Sequence, residues 1–444
     1  MENKVLAEQL VRQCLKKGAD AAEVFLESGR ELSLEIRNGE IETVQEAASG
    51  GVGIRVLSGG RMAFAAVNDL REASLADAVA RAVGFAKITT PDPDHVLPDD
   101  RTFIEVAGLY DPEIARIPLD RKIELLRATE KAAMKDPRIT KSAGASYGEG
   151  ESEVVIANSN GLIKSSRSTN CGFSVSVVAE KGEQKSSGGE ACGRRFFADL
   201  KKPEDVAAKA ARDAYEMLDP KTVKTQKAAV IFDPDVAGSF LGGILAAIDG
   251  ESILQGASFL AGKLNQKIAS DLLTVIDDGT RPKGPGSAPF DGEGVTTQRR
   301  IIIEKGVLKG FLYNTIIAKK AGVKSTGNAS RGGFTSLPGI GAHNFTMSAG
   351  ASRPEDIIQA TKTGLLLKEV TGYGINPVNG QFSGGASGFW IENGKIVFPV
   401  KGLTIAGTAA DMFLGIDMIG IDLDPNRGLA APTFRIKWMQ IGGE

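Results

Sequence analysis

Two histidines, a group of acids and a few arginines are the side chains with which this chain could hold a metal, move a proton or grip a carboxylate. His95 sits in a Pro/Asp segment and His343 in Gly341-Ala342-His343-Asn344, and neither has a second His or Cys at ligand spacing. The pattern predicts a solvated linker residue for His95 and a hydrogen-bonded loop or strand residue for His343. No segment matches the G-x-S-x-G elbow that a Ser-His-Asp enzyme on an α/β-hydrolase plan would need. Gly256 to Lys263 superficially suggests a phosphate loop, but its glycines are one residue too far apart and Leu264 stands where Ser or Thr would bind magnesium.

The acids Asp277, Asp278, Asp291 and Glu293 lie around a Gly/Pro-rich loop at 279–289. Gathered in space they would suit a hard cation. Asp beside Gly is also ordinary turn chemistry, and turn and hydrogen-bonding roles are the expectation. Arg299, Arg300 and Arg331 are the cations that would face a peptide carboxylate; the simpler expectation is surface charge on strands and a loop. The run Gly380 to Gly388, with Ser383 and Ser387, either lets backbone approach a bound chain or makes bulges in a curved sheet.

These residues must be positioned by a glycine-rich, strand-rich scaffold. The chain has 54 glycines in 444 residues, well above the usual ~7%, which favours tight turns and bulges over long helices. Residues 31 to 64 alternate as a strand through Leu32, Leu34 and Ile36, turn at Asn38-Gly39, return through Ile41 and Val44, and continue from Gly51 to Val56. Residues 153 to 190 repeat the plan, with Val154 to Ile156, a turn at Asn160-Gly161, Leu162-Ile163, and Gly172 to Val177. Both Asn-Gly pairs predict type I′ hairpins, whose central residues need positive φ. Helices are expected at 4–17 and 73–87 around the first unit and at 119–135 and 203–217 around the second, giving an internal repeat of about 4–88 and 119–217. In the first helix Val5, Leu6, Leu10, Val11, Cys14 and Leu15 are taken as one apolar face.

The Pro-Asp-Pro-Asp run at 91–94, with Pro98, Asp99 and Asp100, reads as a solvated linker between the units. The Lys-rich stretch 221–227 separates an N-terminal α+β domain, 1–220, from a β-rich domain, 228–444. In the latter, Asp233-Pro234 supplies an N-cap and an N1 proline for a helix over about 234–248. Hairpins at Lys305-Gly306 and Asn393-Gly394 and short helices near 315–321, 354–361 and 408–416 follow. The fold class is thus α+β: duplicated helix-flanked antiparallel sheets, then a curved or barrel-like, mainly antiparallel β structure with a few helices.

Composition bounds the function. A net charge of −2 gives no electrostatic reason to expect nucleic acid or an anionic membrane as partner. The longest largely apolar run, 236–248, is short of the ~20 residues needed to span a bilayer, and the first residues read as an amphipathic helix rather than a signal peptide. Cys14, Cys171 and Cys192 form no C-x-x-C pair and suit free, reduced thiols in a cytoplasm.

A family resemblance carries the function further. It rests on Ser252-Ile253-Leu254-Gln255-Gly256-Ala257-Ser258-Phe259-Leu260-Ala261-Gly262-Lys263-Leu264, on Asp277-Asp278, on Phe290-Asp291-Gly292-Glu293-Gly294, on Ile303-Glu304-Lys305-Gly306-Val307-Leu308 and on Ser325-Thr326-Gly327-Asn328. Trp390-Ile391-Glu392-Asn393-Gly394, Thr404-Ile405-Ala406-Gly407 and Pro432-Thr433-Phe434-Arg435-Ile436 extend it. Together they resemble the TldD/PmbA family of cytoplasmic peptide-processing proteins, historically described as modulators of DNA gyrase, in which a TldD-type zinc subunit pairs with a PmbA (TldE)-type subunit. In the TldD branch this frame begins with His-Glu-x-x-x-His. Laid on that frame, the two His positions fall on Leu241 and Ala246 and the Glu on Gly242. The cysteine that the TldD branch supplies shortly before Pro-Thr-x-Arg has no counterpart, since no Cys follows Cys192.

The resemblance therefore implies the PmbA/TldE branch: a non-catalytic subunit with no metal and no cofactor of its own. Its partner would be a TldD-type zinc subunit, or itself in a homodimer, and peptide its substrate, with neither nucleic acid nor membrane involved. The alternatives are a self-sufficient homodimeric hydrolase with an unrecognised site, or an interaction protein acting on the DNA gyrase pathway.

Overall fold

The computed structural model describes residues 2–372 and 374–444. The first half is built on one six-stranded antiparallel sheet in the order Arg61–Val67, Glu40–Ser58, Ala21–Arg37, Ile139–Asn158, Ile163–Lys181, Gln184–Arg194. Its central pair, Ala21–Arg37 with Ile139–Asn158, joins two halves that follow the same order of helix, three strands and helix. The helices Glu2–Lys16 and Glu72–Ala86 bury one end of the sheet, and Leu119–Ala133 and Pro203–Glu216 the other, each under its own apolar core. In the first helix the buried face is Ala7, Leu10, Val11 and Cys14. Val5 and Leu15 are exposed instead of joining it, because at ~100° per residue Leu15 lies about a quarter turn from the stripe of Ala7, Leu10, Val11 and Cys14 and Val5 nearly opposite it.

The strands are longer than their sequence suggests. The expected return strand and the Gly-led strand after it are one strand, Glu40–Ser58, and likewise Ile163–Lys181; the third strands are 61–67 and 184–194. Glycines that read as breaks lie inside continuous ladders because another backbone passes close: a Cβ on Gly53 would stand 2.3 Å from the Phe334 carbonyl. The Asn38-Gly39 turn has the positive φ values of a type I′ hairpin, 53° and 78°. At Asn160-Gly161 only the glycine is positive, at 84°. There the Asn158 side-chain oxygen accepts from the amides of Asn160 and Leu162, so the loop is closed by an asparagine before the pair rather than by a I′ turn.

The second half holds a closed five-stranded barrel: Lys395–Thr408, Gln381–Glu392, Thr363–Thr371, Gln226–Phe232 and Phe434–Gly442, the last pairing back onto the first through 404–406. One pair, 226–232 with 363–371, is parallel and the rest antiparallel. The Gly380–Gly388 run makes curvature: the ladder slips between Ala386 and Gly388, and a Cβ on Gly388 would lie 2.0 Å from the Leu366 carbonyl. Helix Pro234–Ala247, capped by the Asp233 carboxylate on the Asp235 amide, covers the barrel. Phe240 on it packs against Phe434, which stacks on Phe232 at 4.8 Å. A smaller sheet, containing Val275–Asp278, Arg299–Glu304, Val307–Leu308, Phe345–Met347 and Leu429–Ala430, lies beside it.

Candidate functional site

Helix 234–247 carries the positions where the family frame would place zinc ligands. Leu241 is wholly buried among the core residues of the barrel half, Gly242 is half-buried and Ala246 is exposed. At ~100° per residue, 242 and 246 share an outer face while 241 points inward. The fold brings that outer face to the segment preceding Pro432-Thr433-Phe434-Arg435. A Cβ on Gly242 would sit 3.8 Å from Leu429 Cδ1, and one on Gly238 3.5 Å from the Leu429 carbonyl. The two segments that the resemblance assigns to zinc binding therefore do meet, and the groups that meet are Leu, Gly and backbone. They do not fit a zinc ion, which needs imidazole, thiolate or carboxylate at about 2.0–2.3 Å. Among the described residues no group of three His, Cys, Asp or Glu is arranged to hold a metal.

The acids and arginines singled out from the sequence gather elsewhere, where the six-stranded sheet meets the barrel half. Arg55 Nη2 donates to Glu23 at 2.7 Å and to Glu293 at 2.9 Å, and Arg331 pairs with the other oxygen of Glu23. All four side chains are buried, at 6% exposed or less. Arg331 is thus no surface charge: its Nε also donates to the Gly292 carbonyl. Burial opposes the charge on Arg55, but Glu23 and Glu293 outweigh it and raise its pKa. The second Glu293 oxygen accepts from the Thr315 amide at 2.8 Å.

Asp291 clasps the same loops, one oxygen accepting from the amides of Glu293 and Val295 and the other from Ala329. Burial pushes its carboxyl up to about 7, with the neighbouring charge of Glu293 adding to the effect. Asp277 accepts from the Asn328 amide group and from the His343 backbone, and burial raises its pKa too. His343 Nε2 lies 2.8 Å from the Gly327 carbonyl, a hydrogen-bonded loop residue as its setting predicts. Asp278 holds Thr280 and stands 3.9 Å from the exposed Arg299, while Arg300 donates to the Thr326 carbonyl. Turn and hydrogen-bond roles account for Asp277, Asp278 and Asp291, whereas Glu293 belongs to a buried ion pair with Arg55. With its oxygens engaged by amides and guanidinium groups, the cluster acts as an internal lock.

Glu23 and Arg55 are not among the candidates that sequence reasoning offers. The available signal is a charge inside an apolar run, Ala21-Ala22-Glu23-Val24-Phe25 and Gly53-Ile54-Arg55-Val56, which marks a buried charge that must have a partner. The linker also differs from expectation. Leu97 and Pro98 are buried, with their carbonyls held by Asn158 and Asn160, and Asp100 accepts from the Thr296 amide. His95 is half-buried with a buried, unpartnered Nδ1, and burial lowers its pKa. Proline and aspartate here cap a packed segment instead of dissolving it.

Two cavities adjoin the six-stranded sheet, the first on the face that the helices leave bare and the second lined also by Lys209 and Asp213 of helix Pro203–Glu216. One, of about 680 Å³, is floored by the strands from Glu31 to Arg195; the other, of about 720 Å³, runs on toward Asp235 and Lys368. They share Ser174, Ala191, Gly193, Arg194 and Asn426, and so form one trough between the sheet and the loop at 424–427.

Three family profiles match the chain: PmbA/TldA metallopeptidase domain 1 over residues 22–86, the central domain over 112–218 and the C-terminal domain over 225–443. The chain is 34% identical to metalloprotease PmbA of Escherichia coli O157:H7 over 96% of its length and 93% of that protein's. Among solved structures, a Bacteroides thetaiotaomicron protein described as a candidate modulator of DNA gyrase superposes with a TM-score of 0.92 at 30% identity, covering 100% of this chain and 99% of that one. TldE from Thermococcus kodakarensis superposes at 0.90 with 26% identity, covering 99% and 100%.

Proposed function

This chain belongs to the PmbA/TldD family, and on that premise we propose that it is the PmbA/TldE-like subunit of a TldD/TldE-type metallopeptidase system that matures and degrades peptides in the cytoplasm. In this reading it cuts nothing itself. It forms a dimer with a zinc-bearing TldD-type subunit, and its curved sheet helps enclose the chamber in which that subunit cleaves extended chains. The observation that carries the proposal is the contact of Gly242 with Leu429 beside the buried Leu241, because a zinc peptidase needs about three protein ligands and an open position for water at that place.

The relatives' name, metalloprotease, favours a second reading, a self-sufficient hydrolase in homodimeric form. Metal analysis separates the two. The purified chain is expected to carry no stoichiometric zinc and to co-purify with a family member bearing His-Glu-x-x-x-His when both are expressed together. One tightly held zinc per chain would overturn the subunit proposal.

A further inference from the structure

The bare face of the six-stranded sheet carries an ordered row of side chains. Strand register places Glu31 opposite Gly150 and Gly150 opposite Asn170; one position beyond the Cys171–Arg194 pair, Asn170 faces Arg195. The next row along the strands is Ser33, Gly148, Gly172 and Gly193. The trough of about 680 Å³ over these rows has a floor of glycine backbone, with added Cβ atoms on Gly148 and Gly193 meeting nothing within 4 Å. Asn170 leans over the floor, its Oδ1 2.8 Å from where a Cβ of Gly150 would be.

The two ends of the row are opposite in charge, and among the described residues neither Glu31 nor Arg195 has a counter-ion. Glu31 is exposed and, among the described residues, is engaged by no ion pair, its neighbour Arg30 being taken by Glu46. Arg195 donates to the carbonyls of Thr169, Gly284, Pro285 and Ser287 and, among the described residues, has no carboxylate paired with it. Burial pulls its pKa down with nothing opposing, so it is a desolvated cation without a counter-ion. Arg194 and Lys283 stand at the same end but have carboxylates of their own, Arg194 at 3.9 Å from Asp424 and Lys283 at 2.6 Å from Asp199. From the strand of Glu31 to that of Arg194 is three interstrand steps, roughly 14 Å at ~4.8 Å each, which an extended chain of about four residues spans.

We propose that this trough binds a short peptide with free ends, lying across the strands with its ammonium at Glu31, its backbone against Asn170 and the glycine floor, and its carboxylate at Arg195. The choice of peptide over another zwitterion rests on the function proposed above; the polarity rests on the charges alone. The subunit would then hold short substrates or products as well as enclose the chamber.

The test is calorimetric titration of the full chain with tetra-alanine, free, N-acetylated or C-amidated. Blocking either end is expected to weaken binding about tenfold, the order of one charge-assisted hydrogen bond. Glu31→Gln should weaken the free peptide by the same factor and leave the N-acetylated one unchanged. Gly148→Val, whose side chain meets only the trough, should leave the melting curve in place and abolish binding. Absence of binding by the wild-type chain, equal binding of free and blocked peptides, or full binding by Gly148→Val would each overturn the proposal. None of these results would touch the subunit role, which is read from cleavage by the mixed subunits.

Discussion

Replacing Arg55 by Met tests whether the buried charge cluster holds the two halves of the molecule together. The methionine fills much of the same volume but leaves Glu293 with one backbone donor, the Thr315 amide, and Glu23 with Arg331 alone. Both carboxylates are about 1% exposed, so water cannot replace the lost guanidinium without opening the junction. Breaking a buried pair in this way costs about 3–5 kcal/mol. Removing the charge of Glu293 as well should return part of that loss: in Arg55→Met/Glu293→Gln the glutamine oxygen still accepts from Thr315 and no charge is stranded there. The assay is guanidinium unfolding followed by the fluorescence of Trp390 and Trp438, both in the barrel half, alongside amide exchange in strands 21–37 and 40–58. The single variant should expose those strands before the barrel unfolds, and the double variant should be the more stable of the two. A loss under about 1 kcal/mol, or a double variant whose loss is the sum of the singles, would refute the lock.

Other consequences are simpler. Leu241→His should destabilise the chain by about 2–5 kcal/mol, since it puts an unpaired imidazole in a closed core, whereas Ala246→His should stay within about 0.5 kcal/mol on an exposed face; urea midpoints decide it, and equal effects would contradict the placement of the helix. The triple variant Leu241→His/Gly242→Glu/Ala246→His should still yield no peptidase, because a third ligand and orienting partners are missing, and peptide cleavage by it in the presence of zinc would contradict this. Asp291 takes up its proton near 7 when folded and near 3.8 when unfolded, so the native state binds protons more tightly between those values and stability falls as pH rises from about 4 to about 7. Asp291→Asn should lose that fall, and parallel stability–pH curves for the two proteins would refute it. Residues 4–88 and 119–217 should superpose as copies of one plan in crystallographic coordinates, with Asn38-Gly39 and Asn160-Gly161 at matching hairpins, and a topological mismatch would remove the repeat.

What could be read in the sequence follows the physics of each element. The helix expected at 203–217 is found at Pro203–Glu216 because its proline start and alanine-rich stripe, Ala207, Ala210, Ala211 and Ala214, are local signals. Long strands hide their length, since Gly51 and Gly53 look like punctuation although Phe334 presses on the sheet at both. Barrel closure depends on Thr404–Ala406 meeting Gln440–Gly442, a pairing that no local pattern records. The acids 277–293 were recognisable as polar loop chemistry, but the arginine that makes Glu293 part of a lock lies 238 residues away. The trough leaves no local signal for a similar reason: Glu31, Gly150, Asn170 and Arg195 become a row only through strand register.

The central claim, that this chain completes a peptidase without cutting, is tested most directly by a cleavage assay on an unstructured peptide. It would use this chain alone, a His-Glu-x-x-x-His-bearing family member alone, and the two mixed, each with and without a zinc chelator. Cleavage is predicted only in the mixture and only without chelator. Cleavage by this chain alone, or full activity of the zinc-bearing member without it, would contradict the account.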